Sequence, residues 1–400
     1  MKYFCVLLFL LEVNCFNGSL KDISNSYIRS IADKRELWIW GVQDPKETTK
    51  KPFVTSVFPS TLSPVPPSVF PSVFPLINST GLSPHSKLND TKSCDPFTLT
   101  KPKFTGRISE IKCQEYIWEL KYDAKKRIHD EKCEQSKTSG AVSNTLRVEV
   151  GEDQKEYSHA CIIGWKTIYN TWKFYCGCSL ISHNFVLTAA HCSNIEPIAN
   201  TVMDTVPKIV KFMTTNLKNP VVNNVGIAEI KVHRNYIPPS KYFDIALMRL
   251  EKEILFNEFA IPACLWTKSV PNELRSGIIT QSSLLHGSAV FEDIQIADVD
   301  IVEDNVCNPL LRKFCDLNWC QLTDNQFCAG NLTGAVDVCQ GDSGGPLQMI
   351  NPQPDYIIPY DIYYVFGVSS FKFKCAEPEV PGVYTKVSSF INWIETIVWP

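Results

Sequence analysis

The chain has 400 residues, a formal net charge of −3 and 20% charged residues. This length accommodates one domain built from two packed β-barrels together with a long additional segment. The near-neutral charge and the lack of long Lys or Arg runs argue against nucleic acid or an anionic membrane surface as the partner.

The N-terminus has the pattern of a signal peptide. Lys2 precedes an apolar run at residues 4–11, and Val-Asn-Cys-Phe-Asn-Gly follows at residues 13–18, where a signal peptidase would cut after a small residue, Cys15 or Gly18. The run is too short to span a bilayer, and no later segment is long enough either. We therefore predict a signal peptide at residues 1–18 and a secreted, extracellular protein without a membrane anchor.

The cysteines indicate an oxidising compartment. Of the 16 cysteines, Cys5 and Cys15 lie in the predicted signal peptide, which leaves an even number in the mature chain. Exported chains use such cysteines for disulfides, so we predict disulfide bonds and no metal. The alternative is a zinc site, which this compartment disfavours. Its ligands would be Cys176, Cys178, His191 and Cys192.

Residues 19–103 are predicted to be a disordered linker. From residue 51 to about residue 86 the composition shifts to Pro, Ser, Thr, Val and Phe, with Ser-Val-Phe-Pro recurring from Ser56, Ser68 and Ser72. Repeated proline removes backbone donors and favours extended geometry. A docking ligand for an aromatic groove is the alternative.

The predicted glycosylation sequons are Asn78, Asn89 and Asn331.

Residues 104–147 are predicted to form a strap that packs on the domain after it. Part of residues 104–133 has helical spacing, with Cys113 and Cys133 bracketing a charged amphipathic stretch.

After residue 148 short β-prone runs alternate with turn residues, which predicts a β-sandwich or barrel. A helical pattern at residues 388–399 would cap this domain. The predicted strands are residues 161–165, 174–180, 185–188, 227–233, 245–250, 294–302, 363–368 and 382–387.

Three separate segments predict one catalytic mechanism. His191 stands beside a cysteine in Leu-Thr-Ala-Ala-His-Cys, Asp244 heads an apolar strand, and Ser343 lies in the glycine-rich turn Gly-Asp-Ser-Gly-Gly. A serine hydroxyl needs an adjacent base and a third group that orients the base. Backbone N–H groups of Gly341 and Ser343 would bind the oxyanion. Taken alone, His191 would be a buried structural histidine beside a disulfide, and Asp244 would be a cap or turn residue at the start of a strand. The three residues together predict a catalytic triad.

From about residue 156 the chain resembles trypsin-like, chymotrypsin-fold serine proteases, and more narrowly the arthropod snake-type clip-family proteases. The resemblance implies an all-β protease domain at residues 148–400, with two packed six-stranded antiparallel β-barrels and a C-terminal helix. Residues 107–116 resemble the strap before that domain, while the six-cysteine clip is absent. The matching segments are residues 176–182, 186–192, 244–247, 262–266, 327–330, 339–347 and 381–387.

The resemblance also implies the substrate-binding residues. Asp337 matches the acidic floor of the S1 pocket, which pairs with Lys or Arg at P1, and Gly382 matches its wall. Ser370 matches the residue that supports the triad carboxylate and the substrate backbone, and Phe371 replaces the usual aromatic wall. Lys372 stands where the family has a glycine, and it either plugs the pocket or turns outward into solvent.

The disulfides implied by the resemblance are Cys176 to Cys192, Cys307 to Cys328 and Cys339 to Cys375, with Cys264 tethering the strap through Cys133. Beyond the family pattern, Cys161 and Cys178 form either a bridge or two small core thiols. Cys315 and Cys320 are predicted to pair within a loop.

The resemblance implies a zymogen activated by cleavage after Arg147, which would free the amine of Val148 to bury against Asp342. Glu149 and Val150 depart from the family sequence, so the alternative is a domain that never matures. The predicted function is a secreted serine endopeptidase with Lys/Arg preference at P1, acting without a cofactor in an extracellular proteolytic cascade. Its predicted partners are protein substrates, an upstream activating protease and serpin-type inhibitors.

Two departures support a different function. Residues 280–282 replace an expected Gly-Trp-Gly, and Lys372 replaces the glycine at the pocket rim. The alternative is a secreted protease-like protein with weak or no catalysis that binds partner proteases or inhibitors.

Overall fold

The structure is a computed structural model, and the chain divides into two units, Met1–Ser86 and Lys87–Pro400. In the first unit β1 (Tyr3–Leu8) and β2 (Glu12–Asn17) form an antiparallel ribbon. The structure describes residues 3–8, 12–17, 94–137, 157–195, 201–212, 224–257, 259–268, 274–282, 294–333, 343–353, 361–374 and 377–400.

The first half of the second unit contains a closed six-stranded barrel, whose strands are antiparallel and run in the order β3-β4-β5-β8-β7-β6. Apolar side chains such as Trp165, Leu180 and Phe212 fill its interior, because strands closed into a barrel of this size leave room for side chains only. The strands are β3 (Ala160–Lys166), β4 (Trp172–Leu180), β5 (Phe185–Thr188), β6 (Ile209–Phe212), β7 (Val225–Val232) and β8 (Ala246–Leu250).

A second antiparallel barrel follows, ordered β13-β10-β11-β12-β15-β14 and closed by pairing of β13 with β14. The short strand β9 adds to β14 in parallel. The strands are β9 (Cys264–Leu265), β10 (Ser276–Ser282), β11 (Ile294–Val302), β12 (Gln326–Gly330), β13 (Pro346–Asn351), β14 (Ile362–Phe371) and β15 (Gly382–Lys386). The predicted fold class, with its two six-stranded barrels, is therefore confirmed.

The helices lie around the barrels. They are α1 (Ile108–Lys137), α2 (Asp304–Leu311) and α3 (Ile391–Val398), with short 3₁₀ helices at Ala190–Ser193, Arg312–Phe314 and Val387–Phe390. None of the described helices combines the length and the apolar character that crossing a lipid bilayer requires.

The two barrels meet across a buried polar and aromatic interface. The imidazole of His159 hydrogen-bonds the side chain of Gln348 from the second barrel, and both residues are almost wholly buried. The rings of Tyr157 and Tyr363 pack beside them with centroids 4.9 Å apart. Burial lowers the pKa of His159 to about 4, since a charged imidazole is poorly solvated there, although the Gln348 contact partly opposes this.

Helix α1 packs on the two-barrel domain through its first turns. The Arg107 guanidinium and the Ser109 hydroxyl both donate hydrogen bonds to the Glu395 carboxylate of α3, at 3.0 Å and 2.7 Å. Tyr116 lies further along α1 and is largely buried, and its hydroxyl accepts a 2.9 Å hydrogen bond from the Trp399 indole. The predicted strap therefore has a noncovalent interface with the two-barrel domain.

The predicted tether through Cys133 is wrong, because the structure bonds Cys264 to Cys113 and Cys133 to Cys94. At about 1.5 Å of rise per residue, Cys113 and Cys133 lie roughly 30 Å apart along α1, so only one of them can reach β9. The start of the helix contacts β9, and this selects Cys113. Residues before the helix run back along it, with the ring of Phe97 5.3 Å from that of Tyr122.

The remaining disulfides of the described residues lie within the barrels and their loops. Cys161 and Cys178, which the sequence left as either a bridge or two thiols, are opposite each other on β3 and β4 and form a bridge. The other pairs are Cys176 with Cys192, Cys307 with Cys328 and Cys315 with Cys320.

Candidate active site

His191 lies in the 3₁₀ turn that follows β5. The next residue, Cys192, is fully buried and bonded to Cys176 of β4, so the turn is covalently attached to the barrel wall. The imidazole itself remains about one-third exposed. A fixed backbone with an accessible ring suits a residue that must exchange protons with a bound molecule.

Asp244 lies just before β8 and holds the histidine through two hydrogen bonds. Its carboxylate accepts the backbone N–H of His191 at 2.9 Å and Nδ1–H at 2.8 Å. With Nδ1 protonated, Nε2 of His191 has a free lone pair and faces away from the carboxylate. Phe243, with a positive φ of 56°, turns the chain immediately before Asp244, and its ring stacks on His233 with centroids 5.6 Å apart.

The Asp244 carboxylate is ionised although it is only 2% exposed. Burial by itself raises the pKa of Asp244, but the nearby His191 and the hydrogen bonds from His191 and Ser370 outweigh burial and hold the pKa below its usual value. The buried negative charge therefore depends on these partners.

Ser370 reaches Asp244 through an irregularity in β14. The register between β14 and β15 shifts between Ser369 and Phe371, and the intervening Ser370 is buried with its hydroxyl donating to Asp244 Oδ2. The hydroxyl of Thr385 on β15 donates to the backbone carbonyl of Asp244 at 2.9 Å. The second barrel thus orients a carboxylate that belongs to the first.

Ser343 lies at the end of the loop that leads into β13, and its backbone is bound to the first barrel. Its carbonyl accepts the N–H of Gly177 on β4 at 2.8 Å, and the next residue, Gly344, donates its N–H to the carbonyl of Ser369 at 2.7 Å. The Cys192 sulfur lies 3.7 Å from His191 Nε2 and 3.6 Å from the Ser343 carbonyl oxygen. His191 and Ser343 therefore both contact the Cys176–Cys192 disulfide.

Gly344 is required by this close approach. Its φ is +81°, and a Cβ there would lie 2.2 Å from Thr188 Oγ1 and 2.6 Å from the carbonyl oxygen of Gly177. Thr188 is fully buried and donates to that same carbonyl at 2.8 Å, so neither neighbour has space to move. Glycine is the residue that fits both the backbone angle and the space.

The structure describes four of the predicted substrate-binding residues, and they lie on β14 and β15 or directly after β14. Phe371 is half-buried, with its ring 5.5 Å from that of Trp319. Gly382 begins β15 opposite Ala329, and Lys372 directly follows β14. The predicted residues Arg147, Val148, Asp337, Cys339, Gly341, Asp342 and Cys375 lie outside the described residues.

Three residues that hold this site were not predicted as functional. Gly177 and Thr188 fix the serine turn, and both belong to the motifs that flank the first-barrel disulfide. Thr385 lies in the matching segment 381–387, but its bond to Asp244 was not predicted because it depends on how the two barrels meet.

The donor atoms of Cys176, His191 and Cys192 all lie within 4.8 Å of one another, as the zinc alternative requires. The two sulfurs are joined in one disulfide, whereas a cysteine binds a metal only as a free thiolate. The cluster thus attaches the histidine covalently to β4 and has only one nitrogen donor for a metal.

Two closed antiparallel barrels, with a buried Asp hydrogen-bonded to an accessible His and a serine held by an adjacent glycine, are typical of serine proteases of the chymotrypsin type. Residues 148–394 match the trypsin family, and the chain belongs to that family. The resemblance predicted from its motifs is therefore confirmed.

Two curated relatives, both from Drosophila melanogaster, are similar to this chain. It is 33% identical over 272 residues to serine protease Hayan, a match that covers 66% of this chain and 40% of the relative. It is 31% identical over 307 residues to serine protease snk, covering 73% of this chain and 65% of that protein. Both matches thus span less than two thirds of the relatives' own length.

Proposed function

We propose that this protein is a secreted serine endopeptidase in which Ser343 is the nucleophile, His191 the general base and Asp244 the residue that orients the base. The Asp244–His191 hydrogen bond of 2.8 Å, in a buried site completed by Ser370, is the observation that carries this proposal. A proton held on Nδ1 by Asp244 leaves Nε2 as the acceptor nitrogen, which supports the role of His191 as the base.

The chemistry follows from these positions. His191 Nε2 takes the proton of Ser343 Oγ as the oxygen attacks the peptide carbonyl carbon, and the imidazolium is stabilised by Asp244. The amides of Gly341 and Ser343 would bind the oxyanion, and the loss of either donor would raise the activation free energy by about 3 kcal/mol. The imidazolium then protonates the leaving amine, and water hydrolyses the acyl-enzyme with His191 again as the base.

The remaining features of the proposal rest on the sequence. Cleavage after Arg147 by an upstream protease would free Val148 to bury against Asp342, and Asp337 would select Lys or Arg at P1. The activated enzyme would act on proteins in an extracellular cascade and would be a target for serpin-type inhibitors. The disulfide between Cys113 and Cys264 supports a strap that remains attached after this cleavage.

A covalent probe tests the proposal directly. The chain cleaved after Arg147 should react with a fluorophosphonate and hydrolyse arginyl peptides, whereas Ser343→Ala should do neither while keeping the melting temperature of the parent. Ser389→Ala, which changes an exposed serine in the 3₁₀ helix after β15, is the matched control and should retain both activities. Turnover by Ser343→Ala within tenfold of the parent would contradict the triad. Cleaved parent that neither reacts nor hydrolyses would support the binding protein without catalysis.

A further inference from the structure

A histidine of the first barrel lies against the strap helix. His183 belongs to the turn between β4 and β5, and its Nε2 lies 3.3 Å from the Glu119 carboxylate of α1. Its Nδ1 lies 2.9 Å from the backbone carbonyl oxygen of Ile254, in the segment after β8. The ring therefore bridges the strap helix and two segments of the two-barrel domain.

The two contacts together require a proton on each ring nitrogen. A backbone carbonyl and an ionised carboxylate only accept hydrogen bonds, whereas a neutral imidazole has one donor nitrogen and one acceptor nitrogen. Neutral His183 can donate to Ile254 or to Glu119, but not to both. The doubly protonated imidazolium satisfies both partners and places a positive charge opposite the Glu119 carboxylate.

The aromatic neighbours of His183 also favour the charged ring. Its ring stacks on Phe256 with centroids 3.8 Å apart and an interplanar angle of 11°, and a cation over an aromatic face is attracted by the ring quadrupole. Tyr116 of α1 meets both rings edge-on, with centroids 5.4 Å from His183 and 5.1 Å from Phe256. The His183 side chain is still 31% exposed, so it can exchange protons with solvent.

Among the described residues, the charged groups that act on His183 are carboxylates, Glu119 on α1 and the exposed Glu253 next to Ile254. The hydrogen bond to Glu119 raises the pKa of His183 and outweighs burial, which lowers it, while the Ile254 carbonyl raises it further. Tyr116 stays neutral, because burial raises its pKa to about 12. Proton uptake by His183 is therefore coupled to the contact with α1.

Protonation strengthens the docking of the helix. Because the docked helix increases the proton affinity of His183, proton binding increases the affinity of the domain for the helix by the same factor. This contribution is complete below the ordinary histidine pKa of about 6.5, and it is lost as the pH rises through the raised pKa of the docked state.

We propose that His183 and Glu119 form a proton-dependent latch, in which protonated His183 fixes the helical turn at residues 116–120 to the two-barrel domain and loss of the proton loosens that turn. The disulfide between Cys113 and Cys264 keeps the strap attached in both states. The latch thus sets how tightly the helix packs, and the strap packs more tightly in mildly acidic surroundings than in alkaline ones.

Amide hydrogen exchange of the intact, uncleaved chain tests the latch. It is read by mass spectrometry and corrected for the intrinsic effect of pH on exchange. In the parent, protection at residues 113–124 should be about three- to fivefold higher at about pH 5.5 than at about pH 8, the range expected for an exposed charge pair. His183→Gln and Glu119→Gln should each show the lower protection at both pH values. The double variant should match the single ones, because all three lack the same contact.

His129→Gln is the matched control. His129 lies further along α1, where it pairs with Asp130 of the same helix at 3.2 Å and packs beside Phe97. This variant should behave as the parent does at both pH values. Glu119 is 39% exposed, so Glu119→Gln keeps the test decisive where His183→Gln fails to fold.

Equal protection of the parent at the two pH values, or a pH dependence that Glu119→Gln retains, would overturn the latch. The experiment uses uncleaved chain and no substrate, so its outcome is independent of the proposed function.

Discussion

Replacement of Gly344 by alanine should disable the serine turn. The new Cβ would lie 2.2 Å from Thr188 Oγ1 and 2.6 Å from the Gly177 carbonyl oxygen, well inside any normal carbon contact. The positive φ adds backbone strain of about 1–3 kcal/mol. Displacement of the buried neighbours costs about 1–3 kcal/mol more. Together these predict a loss of about 2–6 kcal/mol in the free energy of unfolding.

The same displacement reaches the nucleophile. Gly177 donates its N–H to the Ser343 carbonyl, so a shift of β4 away from a new methyl group moves Ser343 relative to His191. A misplacement of about 1 Å at a reacting group costs roughly a hundredfold in rate. We expect kcat of Gly344→Ala to fall by about that factor on a short peptide substrate, and fluorophosphonate labelling to slow in parallel.

Gly226→Ala is the control. Its Cβ would come equally close to a neighbour, 2.1 Å from Glu251 Oε2, but that atom is the end of a flexible, exposed side chain. Thermal unfolding distinguishes a clash with buried backbone from a clash with a flexible side chain. Each kcal/mol lost from the free energy of unfolding lowers Tm by about 2–4 °C in a domain of this size. Gly344→Ala should melt at least about 4 °C below the parent, and Gly226→Ala within about 2 °C of it. Equal Tm and equal kcat in the two variants would refute the reasoning.

Three further predictions follow from the contacts. His159 is neutral in the fold with its pKa lowered to about 4, whereas the unfolded chain binds the proton near pH 6.5, so its contribution is complete above pH 6.5 and is lost as the pH falls toward 4. Between pH 7 and pH 4 the free energy of unfolding, measured in urea, should therefore fall by about 3 kcal/mol less in His159→Gln than in the parent. Equal decreases in the two proteins would contradict this. Ser370→Ala removes a hydrogen bond that lowers the pKa of Asp244 and orients its carboxylate, so kcat on a short peptide should fall about tenfold; a kcat within twofold of the parent would count against this contact. On a non-reducing denaturing gel of the activated chain, Cys113→Ser should release the strap whereas Cys133→Ser should not, and the opposite result would restore the tether through Cys133.

Local sequence was sufficient for the elements with strong periodicity. The predicted strands at residues 185–188 and 294–302 coincide with β5 and β11. The C-terminal helix was predicted from residue 388 but begins at Ile391, because Val387–Phe390 form a 3₁₀ helix. Strand β12 was missed, since all of Gln326–Gly330 is buried and such a strand lacks the alternation that marks a half-exposed one.

The sequence by itself determined the candidate chemistry of this protein. His191, Asp244 and Ser343 each stand in a short motif whose glycine, cysteine or apolar neighbours serve the local backbone, and local backbone is what sequence encodes most directly. The contacts between segments were decided only by the tertiary structure. The choice of Cys113 over Cys133 and the contact of Glu119 with His183 depend on the docking of distant elements. Docking is set by the summed packing of many side chains, which no single motif contains.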